Sequence, residues 1–450
     1  MSKTIKIKRG LDINLKGKAE QVFGEFTSPA TYALKPTDFA NLTPKMLVKE
    51  GQEVKAGDPL FYSKMDERIL FCAPVSGEVT EIRRGAKRKI LEVIILADKE
   101  VRFKEFPVSD PSGLAREEVI ERLLSSGTWP FLVKRPYGVL ANPDRSPNAI
   151  FISGFDTAPM APSYDVILNG QEEHFATGIA ALKRLTDGAI HLSVDARGGM
   201  PKAYEGLSGV NIHSFEGPHP AGNVGTQIHH ISPMNKGEII WTINPEDVVV
   251  LGRLFNEGKY NPERVVALTG SEVKKPRYFR ITQGANLEQL FNDEVNEGNV
   301  RFISGDVLTG KKIDKTGFLG FFDQHLTVIP EGDFKEFVGW LSPGFNKFSM
   351  SRTFFSWLNP NKEYVLDTNQ HGEERAFVIT GELERVFPFD IYPMELLKSI
   401  MVGDIERMES LGIYEVVEED FALCEVICTS KIEIQKTVSN GLRLMEKELG

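Results

Sequence analysis

The chain has 450 residues, enough for about three or four domains and more than one hydrophobic core. A formal net charge of −10 argues against nucleic acid as a general partner, because phosphate binding needs a basic footprint. No apolar run reaches about 18 residues, so no membrane-spanning helix is expected, and three cysteines are too few for a disulfide framework, which points to a reducing cytoplasm.

Residues 1–100 read as β structure. Met1-Ser2-Lys3-Thr4-Ile5-Lys6-Ile7 alternates apolar and basic residues, lacks the apolar core of a signal peptide and reads as a strand. Further strands are expected near Val54, Leu60–Tyr62, Glu78–Ile82 and Leu91–Leu96. Gly51 and Gly57 supply left-handed turns, and Asp58-Pro59 re-aims the chain. Ala73-Pro74-Val75-Ser76-Gly77 repeats that punctuation. This spacing resembles the hammerhead of biotinyl and lipoyl carrier domains, so a barrel-sandwich module is expected. In such carriers the modified lysine sits at a hairpin tip between two methionines. Ser63-Lys64-Met65-Asp66 offers one methionine, and Lys64 stands about two residues further from the turn. A surface lysine is the expectation, and a carrier modified at Lys64 is the alternative. Arg83-Arg84-Gly85-Ala86-Lys87-Arg88-Lys89 reads as a basic hairpin tip.

Residues 101–148 read as a connector with a helix near Arg116–Ser125; Pro130, Pro136, Pro143 and Pro147 then prevent long regular elements. Residues 149–260 alternate strands (Ala149–Ser153, Ala189–Val194, Val210–Phe215, Ile239–Ile243) with helices (Phe175–Leu185 and one opened by Pro245 that runs to Phe255). That order predicts a Rossmann-like α/β domain. Residues 261–330 read as a β-grasp module resembling SLBB domains: strands at Val265–Thr269, Arg277–Ile281 and Val300–Ser304, with a helix at Asn286–Phe291 capped by Asn286. Residues 331–385 are aromatic and irregular, and 386–450 are helical, with Met394–Ile413 and Val438–Leu449 the strongest stretches. The expected class is therefore α+β, multidomain.

Chemistry-bearing motifs are sparse. A dinucleotide fold needs Gly-x-Gly-x-x-Gly after its first strand. Here Gly154-Phe155-Asp156-Thr157-Ala158-Pro159-Met160-Ala161-Pro162 follows, with one glycine and two prolines. Gly217-Pro218-His219-Pro220-Ala221-Gly222-Asn223-Val224-Gly225-Thr226 serves equally as an anion-binding nest or a tight interdomain loop. His229 and His230 are adjacent, with no third ligand at metal spacing, and His191 and His213 lie within strands, so no metal site is expected. Cys424 and Cys428 keep only the last two positions of an iron–sulfur run, and Cys72 is remote; two small buried residues on one helical turn is the favoured reading.

Several longer stretches belong together: Lys8-Arg9-Gly10-Leu11-Asp12-Ile13-Asn14-Leu15-Lys16-Gly17, Arg84-Gly85-Ala86-Lys87-Arg88, Glu216 to His230, Ile303-Ser304-Gly305-Asp306-Val307-Leu308-Thr309-Gly310, Phe348-Ser349-Met350-Ser351-Arg352 and the Cys424/Cys428 segment. Together they resemble, end to end, the A subunit of the Na⁺-translocating NADH:quinone oxidoreductases. That family is related to the C subunit of the Rnf complex and to the flavoprotein subunit of respiratory complex I, whose Rossmann-like domain binds FMN and whose helical domain holds iron–sulfur clusters. This chain lacks the flavin glycine loop and most cluster cysteines.

The resemblance implies a peripheral subunit on the cytoplasmic face of the bacterial inner membrane, with five other subunits of the complex as partners, chiefly the membrane-embedded B subunit. It implies a complex that oxidises NADH, reduces ubiquinone or menaquinone and exports Na⁺. FAD, FMN, riboflavin and the iron centres would then lie in other subunits, with no cofactor here and the isolated chain not catalytic. Two site expectations follow. Phe345, Phe348, Arg352, Phe354, Phe355 and Trp357 mix large apolar groups with charge and suit a partner interface or an interdomain core. His219, His229 or His230 beside Phe215 would suit a quinone headgroup, which needs donors in an apolar cleft.

Overall fold

The computed structural model describes residues 4–450 except 335 and 338. Its first strand, β1 (Ile5–Lys6), leaves the N-terminal barrel and joins the central sheet described below. The barrel is built from β2 (Thr31–Leu34), β3 (Pro44–Met46), β4 (Glu53–Val54), β5 (Pro59–Ser63), β6 (Asp66–Cys72), β7 (Gly77–Arg84) and β8 (Ile90–Ala97). They form a four-stranded sheet, β2-β8-β7-β4, and a three-stranded sheet, β3-β5-β6. Leu60, Phe61, Phe71, Val79, Val93 and Ile95 are buried between them. Between β1 and β2 the chain runs as a strap: Leu11 N–H donates to His219 O, Lys16 N–H to Tyr364 O and Gly24 N–H to Tyr278 O.

Helix α1 (Arg116–Ser126) forms where the apolar spacing placed it and buries Val119, Leu123 and Leu124. Two short strands between the prolines, β9 (Val133–Arg135) and β10 (Val139–Leu140), extend the central sheet. That sheet continues with β11 (Ala149–Ser153), α2 (Tyr164–Ile167), α3 (Glu172–Lys183), β12 (Ala189–Asp195), β13 (Asn211–Glu216), α4 (Val224–Ile231), β14 (Ile240–Thr242) and α5 (Pro245–Glu257). Its order is β1-β13-β12-β11-β14-β9-β10, and β13, β12, β11 and β14 are parallel. The strand order reverses between β11 and β14, which makes their carboxyl ends the switch point where such sheets take ligands.

The third sheet, β16-β15-β19-β17-β18, uses β15 (Glu263–Thr269), β16 (Arg277–Thr282), β17 (Val300–Ser304), β18 (Lys311–Ile313) and β19 (His325–Pro330). Helix α6 (Glu288–Glu294) starts two residues later than expected, with Asn286 Oδ1 accepting from Glu288 N–H at 3.0 Å. The C-terminal region holds α7 (Pro393–Val402), α8 (Ile405–Ser410), α9 (Ala422–Ile427) and α10 (Ile434–Leu449). The long helix expected over Met394–Ile413 breaks at Gly403, whose φ of +70° is left-handed, and Asp404 caps α8 by accepting from Arg407 N–H.

One apolar core runs through the barrel, the α/β layers and the third sheet. A file of rings stitches them: Phe61 stacks on Phe71, Phe71 meets Phe39, Phe39 meets Phe321 and Phe321 stacks on Phe131, all with centroids within 4.8 Å. A second core joins the C-terminal helices to Ile13 and Leu15 of the strap and to Tyr137 and Val139.

Candidate functional site

The switch point of the central sheet is closed by the chain itself. Ser153, at the carboxyl end of β11, donates to Gly222 O at 2.7 Å and accepts from Gln227 Nε2 at 2.7 Å. The loop after β11 lies against the loop before α4 so closely that a Cβ on Gly222 would stand 2.6 Å from Thr157 N. The first turn of α4 faces the carboxylate of Asp420, whose Oδ1 would stand 2.3 Å from a Cβ at Gly225. Asp420 is held by Arg135 Nη1 at 3.2 Å and by Val417 N–H at 2.9 Å, while Glu419 accepts from Arg135 Nη2 at 2.7 Å. Helix starts favour negative charge, and phosphates bind there in many α/β proteins. Here a side-chain carboxylate takes that place.

The first turn of α5 is acidic as well. Glu246 and Asp247 are fully buried beside Arg264, which donates to Asp247 Oδ1 at 2.6 Å. Glu246 also accepts from Val265 N–H and from Gln324 Nε2, tying α5 to the third sheet. Burial pushes the Glu246 carboxyl up to about 7 even though Arg264 opposes the shift. Asp156, in the loop after β11, reaches solvent from a crowded crevice; desolvation, with a contribution from Asp306, raises it to about 6. Carboxylates thus stand at the starts of α4 and α5 and in the loop after β11; Asp420 is buried against Arg135, Glu246 and Asp247 are buried against Arg264, and Asp156 alone is exposed.

The histidines do not converge. His229, on α4, is committed on both nitrogens: Nε2 accepts from Asp390 N–H at 3.0 Å, so Nδ1 carries the proton and donates to Glu415 at 2.8 Å. His230 Nδ1 donates to Thr226 O within the helix at 2.9 Å. His219 lies on the preceding loop, buried, with Nδ1 3.1 Å from Thr157 Oγ1 and its N–H donating to Asp12 at 2.8 Å. Burial lowers it to about 4, against the pull of Asp306 and Asp12. Phe215 packs with Ile7, Phe155 and Ala221. In the strands, His191 and His213 bond each other at 2.9 Å, and His191 stacks on Phe151. Among the described residues no group of three or more His, Cys, Asp or Glu is arranged to hold a metal ion.

All three cysteines are buried. Desolvation raises the Cys72 thiol to about 12 and the Cys424 thiol well above its ordinary value, so both are packing residues rather than thiolates. The aromatic block divides. Phe318 and Phe321 fill the interdomain core, and Phe348 leans edge-on against Tyr364. Phe354 is half-buried under Gly344 and Lys347. Phe345, Phe355 and Trp357 are exposed, at 59%, 52% and 47%, beside Leu358 at 62%, and Arg352 is exposed too. Lys64 occupies the first position of the two-residue turn between β5 and β6, with Met65 wholly in solvent.

Arg135, Asp420, Glu246, Asp247 and Arg264 were not foreseen from the sequence. Pro245-Glu246-Asp247 is a legible helix start, but neither its burial nor the pairing of Arg135 with a residue 285 positions away has a local signal.

Three family models match: the NqrA N-terminal barrel-sandwich hybrid domain over residues 5–98, the NqrA second alpha/beta domain over 114–260, and the NQRA C-terminal domain, of SLBB type, over 265–315. The chain is 40% identical to the A subunit of the Na(+)-translocating NADH-quinone reductase of Hahella chejuensis, covering 99% of this chain and 100% of that one. It is 39% identical to the A subunit from Cellvibrio japonicus, with the same coverage. Among solved structures, an NAD+-reducing [NiFe]-hydrogenase in the air-oxidized state aligns over 74% of this chain and 61% of that one, at 11% identity and a TM-score of 0.39, too slight to bear on function. By end-to-end identity and by all three domain models, this chain belongs to the NqrA family, the A subunits of the Na(+)-translocating NADH-quinone reductases.

Proposed function

We propose that the chain is a peripheral subunit of a sodium-translocating NADH:quinone reductase that carries no redox cofactor of its own and supports the quinone-reducing end. NADH oxidation and ubiquinone or menaquinone reduction, coupled to Na⁺ export, then belong to the whole complex. The chain sits on the cytoplasmic face of the bacterial inner membrane, chiefly against the membrane-embedded B subunit, and the flavins and iron centres lie in the other subunits. No helix among the described residues is long and apolar enough to cross a membrane, which fits a peripheral place. The observation that carries the cofactor-free reading is the loop after β11 packed against the loop before α4, with the α4 start already facing Asp420 where a flavin phosphate would need cations or bare N–H groups. Purification of the chain alone tests it: no stoichiometric FMN or iron is expected, and either one sinks the reading. Co-purification from native membranes tests the assembly.

The exposed rings of the aromatic segment support a docking role for Phe345, Phe355, Trp357 and Arg352. Phe355→Ala with Trp357→Ala is expected to cut retention on the B subunit by at least ten-fold while leaving the melting temperature of the isolated chain unchanged. A pull-down and a melting curve decide it, and full retention removes the role. Phe354 and Phe348 are poorer probes, because truncating a half-buried ring also disturbs its own packing.

For the quinone contact, His219 is the residue the proposal keeps foremost, since the His229 ring is already engaged at both nitrogens. Saturable chemical-shift changes on titrating a soluble quinone into the isolated chain are expected, reduced in His219→Ala; no saturable response counts against it. Lys64 at its hairpin tip keeps the carrier alternative testable: intact mass is expected to equal that of the bare chain.

A further inference from the structure

The basic tip between β7 and β8 has no part in the site above. In seven residues it carries five cations, Arg83, Arg84, Lys87, Arg88 and Lys89, on a chain whose net charge is −10. Arg83 is neutralised by Glu92 at 2.5 Å and Glu81 at 3.1 Å. Arg84, Lys87, Arg88 and Lys89 are exposed and pair with no carboxylate among the described residues. Arg68, Arg102, Arg277 and Arg301, by contrast, each close an ion pair within 2.8 Å. The tip is held stiffly. Lys87 and Arg88 adopt left-handed φ of 54° and 59°, Gly85 N–H donates to Lys89 O, and Arg84 Nη1 donates to Arg88 O. Lys87, Arg88 and Lys89 therefore stand exposed on a left-handed turn with no carboxylate paired to them, and the Arg84 guanidinium is bonded only to a backbone carbonyl.

We propose that this tip docks the protein onto the anionic headgroups of the bilayer beside its complex, an inference that rests on the peripheral reading above. None of the tip's cations is buried, so they form no enclosed site for a small anion. Protein interface cores are depleted in lysine and favour aromatic anchors, yet two of the four free cations are lysines and no aromatic stands in the tip. Mobile phosphate headgroups suit such side chains: they need only charge, and each lysine or arginine near an anionic leaflet strengthens binding about five-fold. The contact is electrostatic, falls off within a Debye length and weakens with salt.

Vesicle flotation of the full-length chain tests this. Phosphatidylcholine vesicles containing phosphatidylglycerol are expected to carry it at low salt, and pure phosphatidylcholine vesicles are not. Replacing Arg84, Lys87, Arg88 and Lys89 together by glutamine is expected to lower the partition coefficient about five-fold per charge removed. The variant with Arg84→Lys and Arg88→Lys keeps binding, which separates charge from folding, and Phe355→Ala with Trp357→Ala leaves the salt-sensitive component in place. Undiminished flotation of the glutamine variant overturns the proposal, as does no flotation of the parent chain. So does a glutamine variant that still floats but drops out of the delipidated complex in detergent, which assigns the tip to an acidic protein partner. Flotation is read on the isolated chain, whereas the cofactor-free reading fails on bound FMN or iron, so the two failures are distinct.

Discussion

Replacing Arg264 by leucine is expected to cost about 3–5 kcal/mol of stability, the range for removing one partner of a buried ion pair. The guanidinium is wholly buried, touches Glu246 and Asp247 on α5 and lies 5.6 Å over the Phe131 ring. Its removal leaves Glu246 and Asp247 buried without the guanidinium that pairs them, at the joint between the central and third sheets. Urea denaturation followed by circular dichroism measures the loss. Adding Glu246→Gln and Asp247→Asn to Arg264→Leu is expected to recover part of it, because neutral amides are less costly to bury. A single variant within about 0.5 kcal/mol of the parent would mean that the cluster contributes nothing net.

The same cluster sets a pH dependence. Burial raises Glu246 from 4.5 to about 7, so the folded state binds this proton more tightly than the unfolded chain does. Its contribution is complete below the unfolded value near 4.5 and is lost as pH climbs through about 7. The size is on the order of 3 kcal/mol. Glu246→Gln keeps an acceptor for Val265 N–H and is expected to flatten stability between those two pH values. An unchanged slope would mean that the carboxyl is ionised throughout.

The sequence yielded most elements of the fold because their signals are local. Pro245 opens α5, alternation marks β7 and β8, and the parallel order follows from the run of strands and helices. What it hid were choices made between distant segments. β1 carries the same alternation as a barrel strand, yet it pairs with β13, because no local rule names the partner sheet. The phenylalanines from 318 to 357 share one composition, but Phe321 is core and Phe355 is surface. The missing glycine loop was legible in the residues that follow β11. The carboxylate at the α4 start was not, since Asp420 reaches it only through the docking of the C-terminal helices.

That docking has its own test. Arg135 is the buried cation between β9 and the Glu419–Asp420 pair, and Asp420 is itself wholly buried. Burial raises the Asp420 carboxyl in spite of Arg135, so the residue depends on its partner. Arg135→Leu is expected to cost about 3–5 kcal/mol, concentrated where the C-terminal helices meet the α/β layers. Amide exchange distinguishes that from general weakening: α9 and α10 should lose protection while β11 and β12 keep theirs. Asp420→Asn in the Arg135→Leu background removes the stranded charge and should restore part of the loss, giving a coupling energy above about 1 kcal/mol in a double-mutant cycle. Uniform loss of protection would make Arg135 an ordinary core residue of the central sheet. Additive effects would mean that Asp420 stays against α4 without it, held by Val417 N–H and the helix start alone.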